Sequence, residues 1–316
     1  MKTAFVFPGQ GSQYIGMGRE LAERYPPAAA VFVEADQVLG FSLSRLCFEG
    51  PAEQLVQNEV VQPAILVASM AAYSALTAEG VAPDLVAGLS VGEYTALVAG
   101  GALDFQDAVW LLRRRGEIMK NALPPGTGGM LAVIGLGRDE VKAMCTEVSH
   151  LGVVEPCNYN CPGQIVVGGA LAAIEALESL ALSRGVRKVS RVAMSSPSHC
   201  SLLREAAVQL EEELSKVKIR DARLPVVANV NAQPAWRAEE LRVNLSRQLC
   251  QPVLWEDCLR QLEKMGARHI IEVGPGHTLL GFVRKTLRGI GVSNVEDLNT
   301  LNETLELLGK KEVKVS

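Results

Sequence analysis

Three features of the 316-residue chain predict an α/β fold in which a parallel sheet covered by helices is interrupted by a smaller unit. Short apolar runs alternate with amphipathic helical segments, and this alternation resumes near residue 202 after a stretch of different rhythm. A GxSxG pentapeptide also stands where an apolar run passes into a helical one.

The first strand is read at Thr3 to Phe7 (TAFVF) and is followed by a helix from Pro63 to Glu79, which Gly80 stops. Asp84 to Ala87 (DLVA) reads as a short buried strand. Tyr94 to Gly100 then continues as a helix, and Asp104 is a plausible N-cap for a helix reaching Ala122. The turn-rich stretch Pro124 to Gly129 opens the second rhythm. A strand (MLAVIGL from Met130) and a helix from Arg138 precede strands near Val153 and Ile165, a helix from Leu171 and a strand ending near Val192. That β-α-β-β-α-β order is the ferredoxin-like split unit. The first pattern then returns as helix Leu202 to Lys216, strand Leu224 to Val230, helices from Glu239 and Pro252, strand His269 to Val273 and a helix after Gly276. The expected domains are therefore a discontinuous large one, 1–127 and 196–316, and an inserted small one, 128–195. The lysine-rich tail from Lys310 reads as frayed surface.

Hydrophobic residues make up 48% of the chain, enough to bury a large core, and the net charge of -4 leaves no basic field of the kind nucleic acid binding needs. The apolar run at the start is too short for a signal peptide and no 18 apolar residues are consecutive, so a cytoplasmic location away from membranes is expected. Seven scattered cysteines without CxxC pairs read as free thiols. With no two histidines at i,i+4 spacing, no metal site is expected. The absence of a heptad stripe favours a monomer.

Ser90 is the candidate nucleophile, because a tight strand-to-helix turn flanked by Gly88 and Gly92 holds a serine hydroxyl exposed at the edge of a sheet. A serine is a weak nucleophile at neutral pH and needs a base. His199, in SSPSHC where the chain returns to the large domain, is the candidate, with His269 and His277 as the alternatives. On the helix from Asp104, Phe105, Ala108, Leu112 and Met119 define an apolar face near whose centre Arg115 falls, while Arg113 and Arg114 point away. A buried guanidinium needs an anion: an internal carboxylate, or the carboxylate of a substrate, unless it snorkels to the surface. The loop Phe7 to Gln13 (FPGQGSQ) follows the first strand to the sheet's carboxyl edge. It could supply oxyanion donors or merely pack.

FPGQGSQ, GLSVGEY, Arg115 followed by Gly116, PSH at His199, RQLCQPVLW and EVGPG, in this order and spacing, resemble the malonyl-CoA:acyl carrier protein transacylases over almost the whole chain. The resemblance implies an α/β-hydrolase-like large domain with a ferredoxin-like insertion. It further implies ping-pong transfer of malonyl from malonyl-CoA through a Ser90 ester to the phosphopantetheine thiol of acyl carrier protein, for fatty acid or polyketide synthesis. By the same resemblance His199 is base and then acid, the backbone N–H groups of Val91 and Gln10 hold the oxyanion, and Arg115 clamps the malonyl carboxylate. The backbone carbonyl of Gln248 orients the histidine in place of an acid, and no cofactor is implied beyond the coenzyme A thioester that is substrate.

One departure is visible, Leu89 where that family usually has histidine before the serine. It puts in doubt any role for an imidazole at that position, and Ser198 by its small size does not exclude a methyl-branched acyl group. A serine hydrolase admitting water as acceptor is the closest rival reading. Basic clusters at Arg187, Lys188, Arg191 and at Arg284, Lys285, Arg288 are candidates for steering an acidic carrier protein.

Overall fold

The computed structural model describes residues 2–186, 188–192 and 197–310. Its strands are β1 (Lys2–Phe7), β2 (Leu85–Gly88), β3 (Gly128–Ile134), β4 (Val154–Cys161), β5 (Gln164–Ala170), β6 (Lys188–Arg191), β7 (Val226–Val227), β8 (Pro234–Ala235), β9 (Ala267–Val273) and β10 (Gly291–Val295). They form a six-stranded sheet of order β10-β9-β1-β2-β7-β8, parallel except for the β7–β8 pair, and a four-stranded antiparallel sheet of order β4-β5-β3-β6.

Alternation along the strands assigns successive side chains to different cores. In β1, Phe5 and Phe7 enter the cluster built with helices Pro26–Leu39, Asn58–Ala78 and Phe105–Asn121, while Ala4 and Val6 enter the one built with Trp255–Lys264 and Thr278–Thr286. A parallel sheet covered on both faces is the result. In the small sheet Leu131, Val133, Ile165 and Val167 pack under helices Arg138–Val148 and Leu171–Ser183. Met130 and Val166 belong to the opposite face and to a separate cluster with Cys157 and Cys200. The small sheet is contributed by Gly128 to Arg191 alone, in the ferredoxin-like strand order.

Several boundaries differ from the sequence reading for identifiable reasons. The helix expected to begin at Pro63 runs from Asn58 to Ala78, with Pro63 inside it. Proline removes the hydrogen bond to the carbonyl four residues earlier, and that carbonyl, of Glu59, accepts instead from Arg113 Nη1 at 3.2 Å. This helix is long and apolar enough to cross a membrane by composition, yet 83% of its apolar window is buried inside the protein. Asp104 occupies the N-cap position of Phe105–Asn121 without capping it, because its carboxylate takes Arg220 in two hydrogen bonds of 2.7 and 2.9 Å.

The strand expected over Leu224 to Val230 is only Val226–Val227, since Asn229 turns away to bond other elements. The helices between Arg19 and Leu55, strand β10 and the closing helix Leu298–Leu307 escaped the sequence reading. Lys310 is tied down by two hydrogen bonds from Nζ to the carbonyls of Glu79 and Gly80 rather than frayed, and the tail beyond it lies outside the described residues.

β1 and β2 end side by side, Phe7 opposite Gly88, so the loops that leave them emerge together at the carboxyl edge of the sheet. The Leu89 N–H donates to the Phe7 carbonyl at 3.0 Å. Helix Phe105–Asn121 reaches this edge by lying on Asn58–Ala78 at close range, where a Cβ on Gly116 would stand 2.4 Å from the Asn58 carbonyl oxygen. We expect Gly116→Ala to force these helices apart. The change should cost about 1–3 kcal/mol, read as a lower unfolding midpoint in urea, together with weaker substrate binding because Arg115 is displaced.

Candidate active site

Ser90 sits at the turn from β2 into helix Val91–Ala99 with φ 54° and ψ -106°, a conformation that costs a non-glycine residue free energy. The turn can be this tight only because its flanking residues lack side chains. A Cβ on Gly88 would lie 1.9 Å from the Gly92 carbonyl oxygen, and one on Gly92 would lie 2.1 Å from that of Phe7. Asn229 fixes the turn from outside: its Oδ1 accepts from the Ser90 N–H at 2.8 Å and its Nδ2 donates to the Gly88 carbonyl at 2.7 Å.

Of the three candidate histidines, the fold brings His199 to the serine, with Nε2 2.7 Å from Ser90 Oγ. Nδ1 of the same ring meets the Gln248 backbone carbonyl at 2.7 Å. That contact requires the proton on Nδ1 and leaves Nε2 free to accept from the serine hydroxyl. Burial, reinforced by the Arg115 charge, pushes the His199 imidazole down to about 3 against the opposing pull of the Gln248 carbonyl. His269 instead bonds Ser293 Oγ on the neighbouring strand, and His277 stands exposed near Glu296.

Arg115 is 1% exposed and has not snorkelled. No carboxylate forms an ion pair with it among the described residues. Its Nη1 donates to Gln62 Oε1 at 2.7 Å and its Nη2 to Ser90 Oγ at 3.2 Å and Gln248 Oε1 at 3.4 Å, while Nε is buried without a partner. The guanidinium also lies 5.8 Å from the centre of the Tyr94 ring. Desolvation lowers its proton affinity, yet arginine stays charged in proteins. The arrangement is a buried cation held by neutral oxygens and an aromatic face, with its Nε left unpartnered. Arg113 and Arg114 point away as expected, both toward Glu117.

Gln10 lines the same cavity, of about 220 Å³, with Ser90, Arg115 and His199. Its side chain is anchored by donation to Asn58 Oδ1 at 2.9 Å. Val91 is the first residue of its helix, so its N–H, at the helix's positive end, has no intrahelical acceptor. Leu89 adds an apolar wall. Its carbonyl oxygen would be 2.5 Å from a Cβ on Gly9, which explains that glycine in FPGQGSQ.

Sequence reasoning missed Gln62, Glu93 and Asn229. Glu93 is 1% exposed, and its Oε2 accepts from Gln248 Nε2 at 2.6 Å and the Asn229 N–H at 3.2 Å. Burial pushes its carboxyl up to about 7, although Gln248, Asn229 and Arg115 all favour the ionised form. Gln248 Nε2 also donates to the Ser90 carbonyl at 3.0 Å, so one small network holds the residues on both sides of the Ser90–His199 contact. The signal for Glu93 was legible: it is a charged residue on an apolar helix face, the same criterion that singled out Arg115.

An alcohol bonded to a neutral imidazole, on a strained strand-to-helix turn at the edge of a parallel sheet, defines the class of enzymes that work through a serine nucleophile. Within that class, residues 4–309 match the acyl transferase domain family, and the chain belongs to it. It is 41% identical over 308 residues to the malonyl CoA-acyl carrier protein transacylase of Bacillus subtilis, covering 97% of both chains. To that of Escherichia coli K12 it is 39% identical over 305 residues, covering 96% of this chain and 99% of the other.

Among solved structures, a transacylase of the same name from Clostridium perfringens superposes with a TM-score of 0.95 at 38% identity, covering 98% of each chain. A malonyl-transacylase solved in complex with a type II PKS acyl-carrier protein superposes at 0.94 and 38%, covering 97% of this chain and all of that one.

Because the folded-state value of His199 lies below the ordinary imidazole value of about 6.5, the ring should stay neutral across the working range. NMR titration of labelled histidine is expected to show no protonation of His199 between pH 8 and 5. Between about 6.5 and 3 the unfolded chain binds a proton that the folded one does not, so this residue lowers stability as pH falls through that window. A His199 resonance titrating near 6.5 would contradict the assignment.

Proposed function

We propose that this acyltransferase moves a malonyl group from malonyl-CoA to the phosphopantetheine thiol of an acyl carrier protein through an ester on Ser90. The observation that carries this reading is Arg115, a buried guanidinium with an unpartnered Nε, in contact with the candidate nucleophile. A thioester bearing a second, free carboxylate is the substrate class that completes it.

In the first half-reaction His199 Nε2 takes the proton of Ser90 Oγ, and Oγ attacks the thioester carbonyl carbon. The oxyanion lies between the N–H groups of Val91 and Gln10, and collapse expels the coenzyme A thiolate, which takes the proton back from Nε2. In the second, His199 deprotonates the carrier thiol, the thiolate attacks the serine ester, and Oγ leaves with the proton from Nε2. Gln248 keeps the ring in the tautomer this cycle needs, through a carbonyl in place of an acid. Every step uses groups of this chain, with no cofactor.

Helix Thr278–Thr286 supports a docking direction for an acidic carrier. Its first turn lines the cavity with Thr278 and Leu279, its last turn carries Arg284 and Lys285, and Arg288 follows. Lys188 remains a further candidate, whereas Arg191 is taken by Glu178 at 2.7 Å and Arg187 lies outside the described residues.

Arg115→Ala should reduce kcat/KM for malonyl-CoA by about 3 kcal/mol, roughly 150-fold, and that for acetyl-CoA far less, since only malonyl carries the second anion. Equal losses on both would favour a purely structural arginine. Intact mass after incubation with malonyl-CoA should show one malonyl added to the wild type and none to Ser90→Ala. With carrier protein present, malonyl-carrier should form faster than free malonate; malonate as the main product would support a hydrolase instead.

A further inference from the structure

Serine nucleophiles commonly have an acid on the far side of their histidine, whereas here a backbone carbonyl takes that place, and it stands where a helix is least able to hold it. Gln248 is the last residue of helix Ala238–Gln248. The final carbonyls of a helix have no intrahelical partner, and helix ends fray. Its oxygen nevertheless meets His199 Nδ1 at 2.7 Å. What fixes it is the side chain of the same residue, which is fully buried and makes its shortest hydrogen bond, 2.6 Å, from Nε2 to Glu93 Oε2. The other bonds of that side chain are longer, 3.0 Å to the Ser90 carbonyl, 3.4 Å to Asn229 Oδ1 and 3.4 Å from Arg115 Nη2.

The nucleophile's own turn places Glu93 for this contact. Glu93 follows Ser90 by three residues, and its N–H donates to the Ser90 carbonyl at 3.0 Å, so carboxyl and nucleophile share the first turn of helix Val91–Ala99. The same Oε2 accepts from the Asn229 N–H at 3.2 Å, and Asn229 in turn grips the Ser90 N–H and the Gly88 carbonyl. A carboxyl group that is 1% exposed, with no ion pair among the described residues, is expensive to bury. Packing alone does not require it, since Tyr94 and Leu97 of the same helix meet the core as apolar groups. Nor is Glu93 among the residues that line the cavity, so its task lies with the residues it holds and not with the substrate.

We propose that Glu93 is a positioning residue for acyl transfer: its Oε2 holds the Gln248 side chain, and through it the Gln248 carbonyl that keeps the His199 proton on Nδ1 and leaves Nε2 open to the Ser90 hydroxyl. The serine–histidine pair then has an acid after all, set behind the nucleophile and acting on the ring through one intervening residue. The inference rests on the malonyl-transfer reading above for the reaction that Glu93 serves.

Two variants test it. Glu93→Leu removes the acceptor at similar volume and replaces a buried charge with an apolar group, a change that often leaves stability unaltered or raised. Glu93→Gln keeps an acceptor oxygen at the same reach. At pH 8, above the value of about 7 to which burial pushes the Glu93 carboxyl, the wild-type group is ionised. In the free enzyme, NMR of labelled histidine should show the wild-type and Glu93→Gln rings of His199 with the proton on Nδ1, and the Glu93→Leu ring as a mixture that also carries it on Nε2. Single-turnover acylation by malonyl-CoA is the second readout, its rate normalised to the sites acylated at completion so that unfolded protein does not count. Glu93→Leu should lower the saturating rate about tenfold or more, with the half-saturating concentration within about twofold of wild type, and Glu93→Gln should stay within about threefold of the wild-type rate. A Glu93→Leu ring protonated on Nδ1 alone, an unchanged rate, or a Glu93→Gln variant as slow as Glu93→Leu would each overturn the assignment and leave malonyl transfer standing. A wild type that malonyl-CoA does not acylate would overturn the transfer reading, and the ring comparison, which needs no substrate, would then decide the positioning role by itself.

Discussion

Burying the Arg115 guanidinium beside Ser90 and His199, with no ion-pair partner among the described residues, sets the electrostatics of everything around it. The charge adds to burial in holding His199 neutral, and so keeps a lone pair on Nε2 for the serine proton. It opposes burial at Glu93, whose carboxyl burial nonetheless raises, so one cation favours both the neutral form of a base and the ionised form of a carboxyl group. An arginine satisfied by an internal carboxylate would do neither as strongly. Its hydrogen bonds to Gln62, Gln248 and Ser90 fix its direction without neutralising it, and the missing charge becomes a binding determinant.

Ser90 and His199 both have positive φ, at 54° and 61°, and both are held by backbone-directed hydrogen bonds. Asn229 grips the Ser90 N–H, Gln248 grips its carbonyl, and the His199 N–H donates to the Leu249 carbonyl at 2.9 Å. Glu93 links Asn229 to Gln248. Strain of this kind persists where surrounding structure over-determines it. Here the surroundings come from β2, the turn after β7 and the end of helix Ala238–Gln248, three segments distant in sequence.

The small domain completes the cavity instead of merely decorating the large one. Its sheet turns one face to its own helices and gives the other to the site, through Met130, Val166, Asn158 and Asn160. Arg138 reinforces the junction, reaching Asp257 at 2.8 Å and Glu256 at 3.2 Å on the large domain while lying 4.7 Å from the Tyr159 ring centre. A nucleophile on one domain thus works against walls supplied by the other.

Much of this was written in local pattern. Alternating apolar runs gave the parallel sheet, the βαββαβ rhythm gave the insertion, and GxSxG gave the turn, since each depends on residues close in the chain. The position of Arg115 on an apolar face was likewise readable from helical period alone. The sequence could not choose among three histidines, nor decide whether Arg115 met a carboxylate, because those answers depend on which distant segments share a wall. Gln62 and Asn229 are ordinary amides in their local contexts. Only the crossing of Asn58–Ala78 with Phe105–Asn121 and the turn that ends β7 make them neighbours of one serine. Periodicity specifies which face of an element is buried, and tertiary packing specifies what that face meets.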